Sequence, residues 1–296
     1  MDNLNLARAI PTRQFDRGGA SERVFCQRIA RLAVRSLYAE LVLYPKPGLV
    51  SKIDNGSHAD MTAATFMRSL FALRRYFGAI TQAGMDDAPF HVLKRLGIDA
   101  EARMLRATHG INTHRGAIFC LGMLCAAIGR CRARNEPLIS QCIGDLLRAC
   151  WGQALGAHSI DTGAGSHGVD AARRYAASGA REEGARGFPS VFDVGLPALR
   201  RALSAGRGMR EARIDTLFAL MAHISDTNVY HRGGVEGALT VRRQAHAFLA
   251  RGGTAAPGWE ARALACHRIF VAARLSPGGA ADLLGAVCLV HAVTSG

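Results

Sequence analysis

Apolar residues recur at every third or fourth position through most of the chain, which is the spacing of amphipathic helices. In the first such stretch, from about Glu22 to Leu43, apolar Phe25, Ile29 and Leu32 alternate with arginines on the opposite face. Few stretches alternate with a period of two, so the sequence predicts an all-α fold. The further predicted helices are Thr62–Gln82, Phe90–Ala107, Arg115–Arg132, Ile139–Gln153, His167–Ser178, Glu211–Ser225, Glu236–Ala250, Trp259–Arg274 and Pro277–Val293.

The predicted helices belong to one domain. Residues 1–20 are polar and their apolar residues show no helical periodicity, which predicts a flexible N-terminal tail. Residues 21–296 show neither an internal repeat nor a linker that would divide them into two domains. We expect a single-domain multi-helix bundle with a central cleft lined by interhelical loops. The polar, Gly-rich loops are Leu43–Met61, Asn112–Arg115, Asp161–Gly168, Arg181–Pro189, Asn228–Gly234 and Ser276–Gly279.

The formal charge of +14 raises the question of nucleic-acid binding. Only three of the 37 basic residues are lysines, and no long basic run or aromatic-interleaved patch occurs, so we predict no nucleic-acid partner. Many arginines are expected to solvate helix faces. Two of the three lysines, Lys46 and Lys52, fall in the first long loop, Leu43–Met61, here called the opening loop.

The cysteines and the apolar runs favour a cytoplasmic protein. None of the eight cysteines forms a CxxC pair, so buried reduced thiols are expected. The N-terminus lacks the apolar core of a signal peptide. The longest apolar run, Gly116–Gly129, is too short to span a bilayer, so no membrane association is predicted.

The opening loop carries the first candidate chemistry. Two prolines restrict its backbone, so Lys46 and Lys52 would be held in place, as suits phosphate binding; free ammonium groups would be ordinary surface lysines. His58 and Asp60 follow, and capping of the next helix is the structural alternative for Asp60.

A second candidate region is the entry to the predicted helix at Arg115. His114 lies on its inward face, either as a satisfied core residue or as a functional one. Arg115 stands beside free backbone N–H groups, which suits an anion. Glu40 and Glu101 border apolar stripes, where glutamates pair with arginine, ligate a metal or act as bases.

Three further loops combine charge with glycine. Ser276 and Pro277 predict a helix start, and the following Gly278 and Gly279 permit close approach of a phosphate or of a packed helix, with Asp282 one turn deeper. The other two loops offer basic and acidic side chains, either in a turn or solvated cluster or at an oxyanion. These side chains are Arg181, Glu182, Glu183, His231 and Arg232.

Common nucleotide motifs are absent from the sequence: there is no GxxxxGK[ST], no GxGxxG after a strand and no HExxH. A phosphate-rich ligand with a divalent ion would engage both the dispersed cations and the dispersed carboxylates.

Several stretches together resemble a known family. "PKPGLV", "NGSHADM", "GINTHRGAIF", "SHG", "GAREEGARGFP", "DTNVYHRGG" and "SPGGAADLL" are similar, in order and spacing, to the triphosphoribosyl-dephospho-CoA synthases. These enzymes make the prosthetic-group precursor of citrate lyase and malonate decarboxylase. The resemblance runs from about Glu40 to Leu284, and "LYPKPGLVS", "RSLFALRRYF" and "THRG" look closest to the malonate decarboxylase branch.

The resemblance implies a glycosyl transfer. ATP and 3'-dephospho-CoA would give 2'-(5''-triphosphoribosyl)-3'-dephospho-CoA and adenine, with Mg²⁺ as the expected cofactor. Product hand-off to a prosthetic-group transferase or an acyl-carrier subunit is a further possibility. The expected catalytic residues are Glu40, His58, His114, Glu183 and Asp282; substrate would be bound by Lys46, Lys52, Arg115, Arg181, Arg232, Gly278 and Gly279, and metal by Asp60, Glu101 and Asp226.

Two positions depart from the citrate lyase branch of that family. Ser51 stands where that branch usually has aspartate, and Arg115 stands where it has lysine. Two other interpretations stay open at this point. One is a metal-dependent helical hydrolase acting at a ribose anomeric carbon, similar to ADP-ribosyl hydrolases, and the other is a non-catalytic basic binding protein.

Overall fold

The structure is a computed structural model that describes residues 17–161 and 179–295. It confirms the all-α prediction, since those residues contain no β-strand. The described α-helices are α1 (Arg17–Leu41), α2 (Ala63–Met85), α3 (Phe90–Ala107), α4 (Arg115–Ala133), α5 (Ser140–Asp161), α6 (Ala180–Ala185), α7 (Leu196–Ser204), α8 (Met209–His223), α9 (Thr227–Ala250), α10 (Trp259–Ala272) and α11 (Gly278–Thr294). A π-helical turn, Ser190–Gly195, and a 3₁₀ turn, Gly253–Ala255, complete them.

Helix α4 lies at the centre of the core. Its residues are mainly small or apolar and nearly all of its middle is buried, and it packs against α2, α5 and α11. Glycines bring α2 and α4 unusually close: a Cβ on Gly84 would lie 2.0 Å from the Ala126 carbonyl oxygen, and one on Gly129 would lie 2.1 Å from that of Thr81. Only residues without a Cβ permit this backbone contact.

By length and composition, α4 is the one helix in the described part of the chain that could cross a membrane. In the fold, however, 72% of its apolar window is buried against other helices. A helix that is apolar on all sides because it is surrounded by protein is typical of the interior of a large domain.

Several predicted boundaries differ from the observed ones. Helix α1 begins at Arg17, within the segment predicted as a tail. The predicted loop Asn228–Gly234 forms the start of α9, which Gly234 interrupts at φ 59°. Helix α7 follows the π-helical turn directly and was not predicted. The predicted helix His167–Ser178 lies outside the described residues.

Candidate active site

The opening loop is anchored to the connection between α10 and α11. Leu49 and Val50 are buried, and Ser57 Oγ donates to the carbonyl oxygen of Leu275 over 2.6 Å. Gly48 has φ +70°, and a Cβ there would lie 2.2 Å from the same carbonyl oxygen. Gly48 therefore allows the opening loop to pack directly on the backbone of Leu275, which explains why a glycine stands at this position.

Within this loop Lys46 points into the protein. It is 1% exposed, and its Nζ donates to a carboxylate oxygen of Glu40, itself 5% exposed, at the end of α1. Burial raises the pKa of Glu40 and lowers the pKa of Lys46, and the attraction between the two groups opposes both shifts. Lys46 is held in place, as predicted, but as a buried cation with one buried partner.

Asp282 lies near this pair, at the second turn of α11. It is partly exposed, and its carboxylate accepts a hydrogen bond from the backbone N–H of Ala117 in the first turn of α4. A Cβ on Gly116 would lie 2.1 Å from Asp282 Oδ2, so glycine is required for this approach. Burial, and then the negative charges of Glu40 and Asp226, raise the pKa of Asp282 well above its usual range.

Asp226 connects two helix starts. Its Oδ1 accepts from the Asn228 N–H over 2.9 Å at the start of α9, and its Oδ2 accepts from the Ala280 N–H over 3.1 Å in α11. The backbone N–H groups of Val229 and Gly279 add to these bonds. Burial raises the pKa of Asp226, and the four backbone donors oppose that rise. This carboxylate caps α9 and α11 together.

His114 occupies the N-cap position of α4 and is 2% exposed. Its Nδ1 lies 2.6 Å from Ser69 Oγ in α2, and the Phe66 ring packs edge-on at 4.9 Å. Its Nε2 has no hydrogen-bond partner among the described residues. Burial, followed by the charge of Lys46, lowers the pKa of His114 to about 3, so the ring is neutral at neutral pH.

Glu40, Lys46, His114, Asp226 and Asp282 form what we call the buried cluster. Asp226 and Asp282 bring together the first turns of α4, α9 and α11. The positive ends of these helix dipoles stabilise the two aspartates, because their carboxylates accept from the backbone N–H groups there. The sequence analysis predicted all five residues as functional, from segments far apart in the chain.

A second group, the loop cluster, contains His58, Asp60, Arg232 and Ser276. Arg232 Nη2 lies 3.0 Å from His58 Nδ1, and His58 Nε2 lies 2.8 Å from Ser276 Oγ. Because the guanidinium only donates, Nδ1 accepts and the proton lies on Nε2. Burial and Arg232 lower the pKa of His58 to about 4, so this histidine is also neutral at neutral pH.

Two capping predictions change here. The Ser276 hydroxyl is hydrogen-bonded to His58 and does not cap α11. That helix begins at Gly278, after Pro277. Asp60 does not cap α2: Thr62 does, accepting from the Thr65 N–H over 3.3 Å. The glycines predicted for substrate, Gly278 and Gly279, lie against Asn228 and Asp226, where a Cβ would come within 3.0 Å of a side-chain atom in each case.

Three predicted residues lie at the surface. Arg115 Nε donates to Glu101 Oε1 over 2.6 Å; the Arg115 side chain is exposed and the Glu101 side chain is partly exposed. Lys52 is exposed on the opening loop.

The predicted metal ligands do not come together. Asp60 lies beside His58, Glu101 pairs with Arg115, and Asp226 caps helices. Across the described residues, no group of three His, Cys, Asp or Glu side chains is placed to hold a metal ion. The side chains of residues 17–161 and 179–295 therefore do not form a ready-made Mg²⁺ site.

Arg181 and Glu183 lie on the short helix α6. Glu183 Oε1 accepts from the backbone N–H of Ser190 over 2.6 Å, which caps the π-helical turn. Helix α6 packs on α4 through Gly184, where a Cβ would lie 2.9 Å from the Phe119 ring. The contacts described for Glu183 are with its own segment, and a catalytic role for it stays a prediction.

Ser69 is a site residue that sequence reasoning did not find. Ser69 is fully buried on α2 beside Leu70 and Leu73. A serine on the buried face of an apolar helix is the only signal that could have identified it, and many such serines bond their own helix.

Comparison with known proteins matches the chain to one family along most of its length. A family model described as "ATP:dephospho-CoA triphosphoribosyl transferase" matches residues 26–296. A protein of Acinetobacter calcoaceticus, "Probable 2-(5''-triphosphoribosyl)-3'-dephosphocoenzyme-A synthase", is 40% identical over 258 residues, which are 87% of this chain and 88% of that protein. A protein of the same name from Pseudomonas aeruginosa (strain UCBPP-PA14) is 42% identical over 266 residues, 88% of each chain.

A protein of Pectobacterium atrosepticum named "2-(5''-triphosphoribosyl)-3'-dephosphocoenzyme-A synthase" is 37% identical over 277 residues, 91% of this chain and 90% of that protein. No solved structure matches the chain significantly.

Proposed function

Since the chain belongs to the ATP:dephospho-CoA triphosphoribosyl transferase family, we propose that it transfers the 5-triphosphoribosyl group of ATP to the 2'-hydroxyl of 3'-dephospho-CoA and releases adenine. The observation that carries the proposal is the extent of the match. Residues 26–296 include every member of the buried cluster and of the loop cluster.

The cations proposed to bind the triphosphate are Lys46 of the buried cluster, Lys52, Arg115 and Arg232. Lys46 has one buried anionic partner, and a phosphate oxygen beside it would favour its charged form. Arg115 and Lys52 are exposed, and Arg232 holds the loop cluster together. The predicted cleft would correspond to the solvent-facing side of Asp282, Gly278 and Gly279, all of which are partly exposed.

Two of the three acidic side chains of the buried cluster, Asp282 and Glu40, suit the two proton transfers of a displacement. Asp282, with its raised pKa, would hold a proton and give it to adenine as the C1'–N9 bond breaks. Glu40, whose carboxylate form is stabilised by Lys46, would stabilise the positive charge that develops on the ribose and take the proton from the 2'-hydroxyl as the new C1'–O bond forms. Return of that proton from Glu40 to Asp282 completes the cycle.

The two histidines are better suited to hydrogen bonding than to proton donation. The pKa of His114 is lowered to about 3 and that of His58 to about 4, so an imidazolium would be scarce at neutral pH. We therefore transfer the role of proton donor, predicted for these histidines, to Asp282.

Mg²⁺ is proposed as a companion of the ATP triphosphate. Magnesium usually reaches such sites with the phosphates and one or two carboxylates, and the part of the chain that the structure describes forms no cage of protein ligands in advance. None of Asp60, Glu101 and Asp226 is assigned a step in the reaction.

The finer biological assignment is also a proposal. The opening-loop sequence looks closest to the malonate decarboxylase branch, and we assign the enzyme to that pathway. We also propose that it is cytoplasmic and that it passes its product to a transferase or an acyl-carrier subunit. Neither the hydrolase interpretation nor the non-catalytic one gains support from the family match.

The test is incubation of the purified protein with ATP and 3'-dephospho-CoA, followed by mass spectrometry. We expect adenine and a product whose mass equals that of dephospho-CoA plus the triphosphoribosyl group. Adenine release without acceptor, with formation of free ribose triphosphate, would indicate the hydrolase instead. No adenine under either condition, with steeply salt-dependent DNA binding, would indicate a binding protein.

A further inference from the structure

The Nδ1 of His114 has a single hydrogen-bonding neighbour among the described residues, the hydroxyl of Ser69. The two atoms lie 2.6 Å apart, and both residues are essentially inaccessible to solvent, at 2% and 0% exposure. Either partner could donate in such a pair, because a neutral imidazole carries its proton on one nitrogen or the other. The direction of this bond therefore decides what the opposite nitrogen, Nε2, can do.

Other buried helical hydroxyls in this protein show the usual arrangement. Ser36, Thr81 and Thr216 each donate to the carbonyl oxygen four residues earlier, at 2.8, 2.6 and 2.7 Å. Ser69 has no such bond within the described residues, so its hydroxyl proton has only His114 Nδ1 to bind. A buried hydroxyl without an acceptor would be unfavourable by roughly 1–3 kcal/mol. Donation by Ser69 leaves only the Nε2–H of His114 without a partner, whereas the reverse direction leaves both the hydroxyl proton and the Nε2 lone pair without one, so the favoured direction is from Ser69 to Nδ1.

We propose that Ser69 is a positioning residue that holds His114 in the tautomer with its proton on Nε2, and that this N–H binds an anionic oxygen of the nucleotide. The second part rests on the proposed function. The Nε2 atom is buried and lacks a partner among the described residues, while Lys46 is close enough to affect the ring. A phosphate oxygen reached by Lys46 would supply the acceptor that Nε2–H lacks.

The burial of His114 supports this assignment. With its pKa lowered to about 3, the ring stays neutral and the choice between tautomers persists across the working pH range. A neutral Nε2–H donor in a dry site binds an oxyanion without a compensating change in protonation.

The first measurement uses the ligand-free wild-type protein. Nitrogen-15 NMR of the histidine rings should show His114 as the Nε2–H tautomer, with its signal identified by its loss in His114→Phe. Ser69→Ala should change this signal toward a mixture of tautomers. A wild-type Nδ1–H tautomer, or a spectrum unaltered by Ser69→Ala, would overturn the proposal.

The second measurement is turnover. Ser69→Ala should lower kcat/KM at least about tenfold, the equivalent of one lost hydrogen bond of about 1.4 kcal/mol. In the His114→Phe background the same change should have little further effect, because Ser69 acts through His114. The matched control is Ser36→Ala, a buried helical serine outside the site, which should leave the His114 signal and turnover unchanged. Full additivity of the two changes would contradict the proposal.

The two measurements separate this inference from the proposed function. If wild-type protein forms no triphosphoribosyl product but shows the Nε2–H tautomer dependent on Ser69, the reaction assignment fails and the positioning role stands. If product forms and the tautomer is independent of Ser69, the reverse holds.

Discussion

Two aspartates at neighbouring helix starts, Asp226 and Asp282, differ in how fully their oxygens are bonded. Asp226 accepts from four backbone N–H groups at the starts of α9 and α11. Asp282 accepts from one, that of Ala117, and has Glu40 and Asp226 as negative neighbours. Burial raises the pKa of both carboxyls, but the backbone donors oppose that rise strongly only at Asp226.

The difference separates structural from chemical use of the same side chain. A carboxylate bonded to four N–H groups has no lone pair free for a substrate and is needed to join two helices. A carboxyl with one such bond, partly exposed and inclined to keep its proton, can exchange that proton. We therefore expect substitutions at the two positions to have opposite effects on stability and activity.

The largest expected effect is at Lys46, whose loss would leave Glu40 buried and unpaired. Lys46→Ala should lower the free energy of unfolding by about 3–5 kcal/mol, measured by urea denaturation. The double variant Glu40→Leu/Lys46→Met should regain most of that stability and still be inactive. Lys52→Ala, an exposed lysine in the same loop, is the control for stability. A stable but fully active Lys46→Ala protein would contradict the assignment.

Asp282→Asn should lower turnover by about a hundredfold to ten-thousandfold, as for loss of a general acid. Stability should change in the other direction. The folded wild type keeps the Asp282 proton at pH values where the unfolded chain releases it, so its stability falls as pH rises above the ordinary carboxyl pKa.

The side chain of the Asp282→Asn variant does not titrate, so its stability does not fall with pH in this way. We expect it to unfold at a higher temperature than wild type at pH 7–8. Wild-type turnover should itself decline as pH rises through the raised pKa of Asp282, and the variant's residual rate should not. A variant less stable than wild type across this range would contradict the pKa argument.

Asp226→Asn should mainly affect stability. Its amide nitrogen would face backbone N–H groups that now bind a carboxylate oxygen, so we expect a loss of about 1–3 kcal/mol in urea unfolding. Turnover per folded molecule and its dependence on Mg²⁺ should be retained. If the Mg²⁺ concentration needed for activity rises sharply, Asp226 is a metal ligand as the sequence analysis predicted. Asp145→Asn, an exposed helical position, provides the control.

Arg115→Ala should have the smallest effect on folding, below about 1 kcal/mol, because its ion pair with Glu101 is solvent-exposed. If the guanidinium binds the triphosphate, KM for ATP should rise about tenfold, within the range for one charge-assisted hydrogen bond. Unchanged KM would restrict Arg115 to a surface ion pair with Glu101.

The helices were predicted well where apolar spacing was regular, as in α3, whose bounds are those predicted. Prediction was poorer where local signals conflict with packing. "NVYHRGG" has the glycines of a loop, yet Asp226 caps it into the start of α9. The short α7 has Leu196, Leu199 and Ala202 buried at helical spacing, a signal that the sequence analysis did not use.

At the candidate site, residue types were predictable but their partners were not. Lys46 and Glu40 were identified from separate segments, as a phosphate ligand and a carboxylate, and the fold pairs them. Ser69 carries no sequence signal for its role, because a bond between α2 and α4 depends on how those helices pack.

The sequence by itself determined the all-α class, the family and the residues capable of chemistry, because helical periodicity and spaced motifs are local properties of the chain. Only the tertiary structure decided which of these groups are buried, which are hydrogen-bonded to one another and which serve as caps. The physical reason is that burial and hydrogen bonding set pKa and function, and both depend on residues distant in sequence.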